Sequence, residues 1–94
     1  MKLKGKNSGK KRVTFTLESE VGKKVYVAGD FNNWADGDKE LIDKAGDGIY
    51  RKIMLLPPGH YEYKFIIDGV WCIDPANPNF TKNAMNTLNS VIEL

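Results

Sequence analysis

The sequence predicts an all-β fold, an antiparallel β-sandwich of about seven short strands, on three observations. Apolar and polar residues alternate with the period of a strand in runs such as Arg12–Leu17 and His60–Ile67. The runs are divided by clusters of Gly, Pro, Asn and Asp, the residues that turns require. No amphipathic helical segment of about ten residues occurs. At 94 residues the chain makes one domain with a single modest core. A five-stranded barrel is the competing architecture, and the number of runs together with the wide 35–48 loop favours the sandwich.

Taken in order, residues 1–11 have too little apolar surface to repay ordering and read as a flexible basic tail, with the folded domain spanning 12–94. Val13, Phe15 and Leu17 form the inward row of the first strand, and Val25 and Val27 that of the second, over Lys24–Ala28. Gly29 and the polar Asp30-Phe31-Asn32-Asn33 turn the chain away from the sheet, and Trp34 follows. A solvated loop comes next, with a brief edge segment near Lys39–Ile42. Ile49–Leu56 is a strand whose inward face the pattern leaves open; Pro57-Pro58-Gly59 ends it, and His60–Ile67 returns at once, so these two are expected to form a hairpin. Asp68-Gly69 signals a type I′ turn into a short strand, Val70–Ile73, that carries Trp71. Pro75 and Pro78 keep the following stretch in turns, and Thr87–Leu94 is the last strand.

Composition excludes several classes of function. No apolar run approaches the roughly 20 residues that span a bilayer, and the N-terminal lysines precede no apolar signal segment. Cys72 is the only cysteine, so no internal disulfide forms, and a reducing, cytoplasmic setting is expected. One Cys and one His make a zinc site improbable, and no cofactor motif is present. Six of the 14 basic residues fall in residues 1–12, leaving eight against 12 acids, a net of −4 for the remainder. An acidic body lacks the charge that follows a phosphate backbone, so neither nucleic acid nor membrane is an expected partner.

No nucleophile is tied to His60 by sequence, and the carboxylates fall almost wholly in turns, where Asp serves the backbone. The chain does not read as an enzyme. What remains is binding through aromatics: Trp34 lies beyond one turn and Trp71 beside another, the second being as good a core residue as a platform on spacing alone. If the Tyr61, Tyr63, Phe65 and Ile67 row points inward, Lys64, Thr87 and Asn89 point outward. Two flat indoles rimmed by an ammonium, a hydroxyl and amides suit a pyranose, whose C–H face stacks on aromatics while its hydroxyls take hydrogen bonds. A protein-interaction surface fits the same residues.

The run Val25–Trp34, the segment Leu56–Trp71 with Asp74-Pro75, and the terminal Thr87–Ile92 together resemble the glycogen- and starch-binding modules of family 48. These occur in the AMP-activated protein kinase beta subunit and in the N-terminal domains of isoamylase and of glycogen-branching and debranching enzymes. The resemblance implies an immunoglobulin-like sandwich that binds α-1,4-linked glucan without catalysing a reaction. It assigns sugar stacking to Trp34 and Trp71, hydroxyl contacts to Lys64, Thr87 and Asn89, and a reach around the glucan to Met85. Asn86 stands where the family has glycine, and the 35–48 loop is longer than in kinase modules. The chain reads either as a free-standing module or as a part accompanying a catalytic domain or kinase complex.

Overall fold

A computed structural model describes residues 9–94. Its eight strands are β1 (Lys11–Glu18), β2 (Val25–Gly29), β3 (Lys39–Leu41), β4 (Ile49–Leu56), β5 (His60–Ile67), β6 (Val70–Cys72), β7 (Phe80–Lys82) and β8 (Leu88–Glu93). Residues 1–8 of the expected tail lie outside the described residues, and Lys11 already belongs to β1.

All pairings are antiparallel and fall into two sheets. The smaller is β1–β4; the larger runs β3-β2-β5-β8-β7, with β6 also paired to β5. The alternating rows face each other across the sandwich: Phe15 and Leu17 of β1 and Tyr50 of β4 pack on Val25, Val27, Tyr63 and Phe65 of the larger sheet. Val25, Val27 and Phe65 have no exposed surface, as β-branched and aromatic side chains between two sheets should. The open question of β4 is decided in favour of Tyr50 and Leu56, which are buried, while Ile53 and Leu55 stay exposed on the outer face.

Two expectations are corrected. β4 and β5 do not form a hairpin, because β4 pairs with β1 and the chain crosses from one sheet to the other at Pro57-Pro58-Gly59. Prolines withhold the donors that a ladder at this corner would need. Gly59 pairs instead with Leu94, its N–H donating to the Leu94 carbonyl at 3.0 Å and its carbonyl accepting from Leu94 N–H at 2.8 Å. Secondly, β7 adds an unforeseen edge strand against β8, with Thr81 opposite Asn89. The Asp68-Gly69 turn is as read, with φ of 47° and 84° at its two positions.

The proline-rich stretch after β6 is fastened to the core by hydrogen bonds that are buried or partly buried. Tyr63 Oη donates to Asp74 Oδ2 at 2.7 Å, Asp74 N–H donates to Ser90 Oγ at 2.8 Å, and Asn77 Nδ2 donates to the Val91 carbonyl at 2.9 Å. Burial, with the Asp74 carboxylate beside it, pushes the Tyr63 phenol far above its usual range.

Gly29 ends β2 where its backbone lies against β5. A Cβ there would strike the Glu62 carbonyl and come within 2.8 Å of the Tyr63 Cβ and 2.9 Å of the Phe31 ring. This close approach presses the following turn onto β5. Gly29→Ala is expected to destabilise the fold by about 1–3 kcal/mol, the range for overpacking, as measured by urea denaturation.

Candidate functional site

The outer face of the larger sheet carries the polar row of β5. Register places Trp71 beside Ile66, and Lys64 beside Ala28. Ile66, on this outer face, is only 3% exposed, flanked in register by Tyr26 and Trp71. Along its other edge, β5 pairs with β8 from His60 to Tyr63 and with β6 from Phe65 to Ile67. Lys64 stands at the changeover. Trp71 therefore approaches it from one side and the beginning of β8 from the other.

Trp34 reaches the same place from the end of β2. A 3₁₀ turn at Asp30–Asn32 is closed by Asn32 Oδ1, which accepts from Gly29 N–H at 3.0 Å, and by Trp34 N–H, which donates to the Gly29 carbonyl at 3.0 Å. Asn33 and Trp34 have φ of 56° and 59°. Asn accepts that left-handed geometry readily, whereas for Trp it is strained by roughly 1–2 kcal/mol. The Asp30 carboxylate secures the result: one oxygen accepts from Trp34 Nε1 at 3.1 Å and the other from Glu62 N–H at 2.8 Å.

The two indoles consequently stand side by side, with ring centroids 6.5 Å apart and planes inclined by 32°. Trp71 is 41% exposed and Trp34 half-buried, so neither belongs to the core. All six residues singled out from the sequence, Trp34, Lys64, Trp71, Met85, Thr87 and Asn89, line one open groove of about 600 Å³. Met85 is 81% exposed on its rim. Lys64 Nζ donates to Thr87 Oγ1 at 3.1 Å. Asn89 lies on the outer face as expected but is only 5% exposed, its Nδ2 donating to Glu62 Oε1 at 2.9 Å.

Asp30, Glu62 and Asn83 also line the groove, and the sequence reading did not single them out. Asp30 and Glu62 act through contacts between segments far apart in the chain, 32 residues between Asp30 and Glu62 and 27 between Glu62 and Asn89, which no local pattern reveals; Asn83 acts within its own loop, on residues two to six positions away. The one local sign was Glu62 two residues before Lys64 on the outward row. Asn86 has a φ of 66°, a left-handed geometry that asparagine tolerates better than most residues with a side chain. Among the described residues no cluster of His, Cys, Asp and Glu is able to hold a metal, and no helix is long and apolar enough to cross a membrane.

Beside Glu62, His60 Nδ1 lies 2.6 Å from Glu93 Oε2 and its Nε2 lies 3.6 Å from Glu62 Oε2. The hydrogen bond to Glu93 raises the imidazole above its ordinary value of 6.5; partial desolvation opposes this, and the charges of Glu93 and Glu62 add to the rise. The charged form is thus favoured in the folded state. Its stabilisation is complete below pH 6.5 and disappears as pH climbs through the raised value. Titration of the His60 ring protons by NMR should give a midpoint above 6.5, and Glu93→Gln should lower it. In the β7–β8 loop, Asn86→Ala should cost about 1 kcal/mol in thermal unfolding, and Asn86→Gly should be close to neutral.

Residues 11–94 match the family described as the glycogen recognition site of AMP-activated protein kinase. The chain is 39% identical over 83 residues to 5'-AMP-activated protein kinase subunit beta-2 of Mus musculus, an alignment covering 88% of this chain and 29% of that protein. It is 33% identical over 94 residues to subunit beta-1 of Sus scrofa, covering 100% of this chain and 73% of that sequence. With subunit beta-1 of Bos taurus the identity is 38% over 73 residues, or 78% of this chain and 25% of the relative. The chain thus spans under a third of the length of the beta-2 relatives. An antiparallel sandwich, with a match along nearly the whole chain, makes it a member of the family 48-like glycogen recognition modules, which are non-catalytic.

Proposed function

We propose that this protein binds α-1,4-linked glucan, as in glycogen, starch and maltooligosaccharides, by laying successive glucose rings on Trp34 and Trp71. The observation that carries the reading is the pair of half-open indoles 6.5 Å apart and inclined by 32° on one groove. Successive rings of an α-1,4 chain turn with respect to each other, so inclined platforms suit them better than coplanar ones would. Lys64, Thr87 and Asn89 offer polar hydrogens to the sugar hydroxyls, and Met85 bends an adaptable apolar side chain over the rim.

The charge of the groove supports a neutral ligand. Asp30 and Glu62 line it with Lys64, so two carboxylates accompany a single ammonium, a poor track for a phosphate backbone. Glucan binding should accordingly change little with salt. The relatives are kinase beta subunits, which supports a place for this chain within a cytoplasmic kinase complex. The exposed Ile53 and Leu55 on the outer face of β4 offer apolar surface for such a contact, away from the groove.

Aromatic stacking is worth about 1–3 kcal/mol per ring in the comparable base-platform case. Titration calorimetry with maltoheptaose should therefore show weak to moderate affinity. Trp34→Ala and Trp71→Ala should each lower it by about tenfold to a hundredfold. Circular dichroism should show the fold retained, because both rings lie outside the core. Absence of heat from the parent protein at millimolar sugar would remove the proposal.

A further inference from the structure

The loop between β7 and β8 is built around one carboxamide. The backbone closes it from Asn83 N–H to the Thr87 carbonyl at 2.8 Å and from Asn86 N–H to the Asn83 carbonyl at 3.0 Å. Asn83 Oδ1 accepts from the backbone N–H groups of Met85 and Thr87 at 2.9 and 3.1 Å. Its Nδ2 donates to Thr87 Oγ1 at 2.7 Å and to Asn89 Oδ1 at 3.0 Å. One side chain therefore shapes the segment bearing Met85 and touches two further residues of the groove.

We propose that Asn83 is a positioning residue that sets the hydrogen-bond polarity of the groove wall, so that Thr87 and Asn89 meet a ligand as donors. A hydroxyl has two lone pairs and one proton. Both lone pairs of Thr87 are engaged, by Lys64 Nζ and by Asn83 Nδ2, so the proton is what it has left to give. The Asn89 carbonyl oxygen is held by Asn83, and one of its amide hydrogens by Glu62, leaving the second amide hydrogen. Lys64 has donors only. This side of the groove thus addresses the oxygen lone pairs of a ligand, while the carboxylates of Asp30 and Glu62 are the acceptors that line it. A sugar hydroxyl both gives and accepts, so the arrangement selects the orientation in which its oxygen faces Thr87. The ligand chemistry here rests on the glucan reading above.

Asn83→Asp separates wiring from architecture. The new side chain keeps an acceptor for the two loop N–H groups but has no hydrogens for Thr87 and Asn89. The Thr87 proton is then drawn to the introduced carboxylate, and the Asn89 amide must turn over to face it. The expected result is a melting temperature within a few degrees of the parent, displaced side-chain amide resonances for Asn89 in nitrogen–proton NMR spectra, and maltoheptaose affinity reduced about tenfold. Thr87→Val should cost as much, and the double variant little more than either alone, since both remove the same donor. Affinity for Asn83→Asp within twofold of the parent, or additive losses in the double variant, would overturn the proposal. Should Asn83→Asp fail to fold, Asn83→Ser retains a loop acceptor with one proton for two oxygens, and undiminished binding by it overturns the proposal equally. If the parent itself does not bind maltoheptaose, the glucan reading fails, and the Asn89 resonances still decide the wiring: unchanged in Asn83→Asp, they refute it.

Discussion

The ladder of β5 is the constraint on which the rest of the structure depends. A strand in the middle of a sheet must have partners for its backbone groups on both edges. β2 supplies one edge, from Tyr63 to Ile67, and the other is divided between β8 and β6. That division brings β6, with Trp71, and the start of β8 to either side of Lys64. The inward row of β5 meanwhile buries Tyr63 and Phe65 against the smaller sheet. A single strand thus supplies the centre of the core on one face and the floor of the groove on the other.

Polar groups turn this geometry into a shaped surface. Asp30 couples the Trp34 ring to the backbone of β5, and Glu62 couples β5 to Asn89 on β8. Each side chain bridges segments that the topology brings together but does not itself fix. No buried side-chain nitrogen or oxygen among the described residues lacks a partner. A groove preorganised in this way loses less side-chain freedom when a ligand arrives.

Much of this was legible in the sequence, for identifiable reasons. The period-two rows of β1, β2 and β5 gave the inward residues, and Asp68-Gly69 gave the tight turn, because both signals are local. The corner at Pro57-Pro58-Gly59 was misread because two adjacent strands suggest a hairpin, whereas the missing proline donors send the second strand to the other sheet. β7 was overlooked: three residues behind a Pro- and Asn-rich stretch carry too little pattern, and pairing with β8 is what makes them a strand. The six expected groove residues came from turn position, facing and family resemblance. Asp30 and Glu62 act through partners remote in the chain, of which one sequence contains no record, and Asn83 acts locally in a polar loop where any of several side chains could have closed the turn.

The backbone at Trp34 carries a trade-off. A bulky side chain in left-handed geometry is a local disadvantage, offset here by the bond from its ring nitrogen to Asp30. Glycine or asparagine at this position would relieve the strain and remove one of the two paired rings, whereas Trp71, on an extended strand, presents its indole without that handicap. The two halves of the aromatic wall are thus held against unequal local opposition.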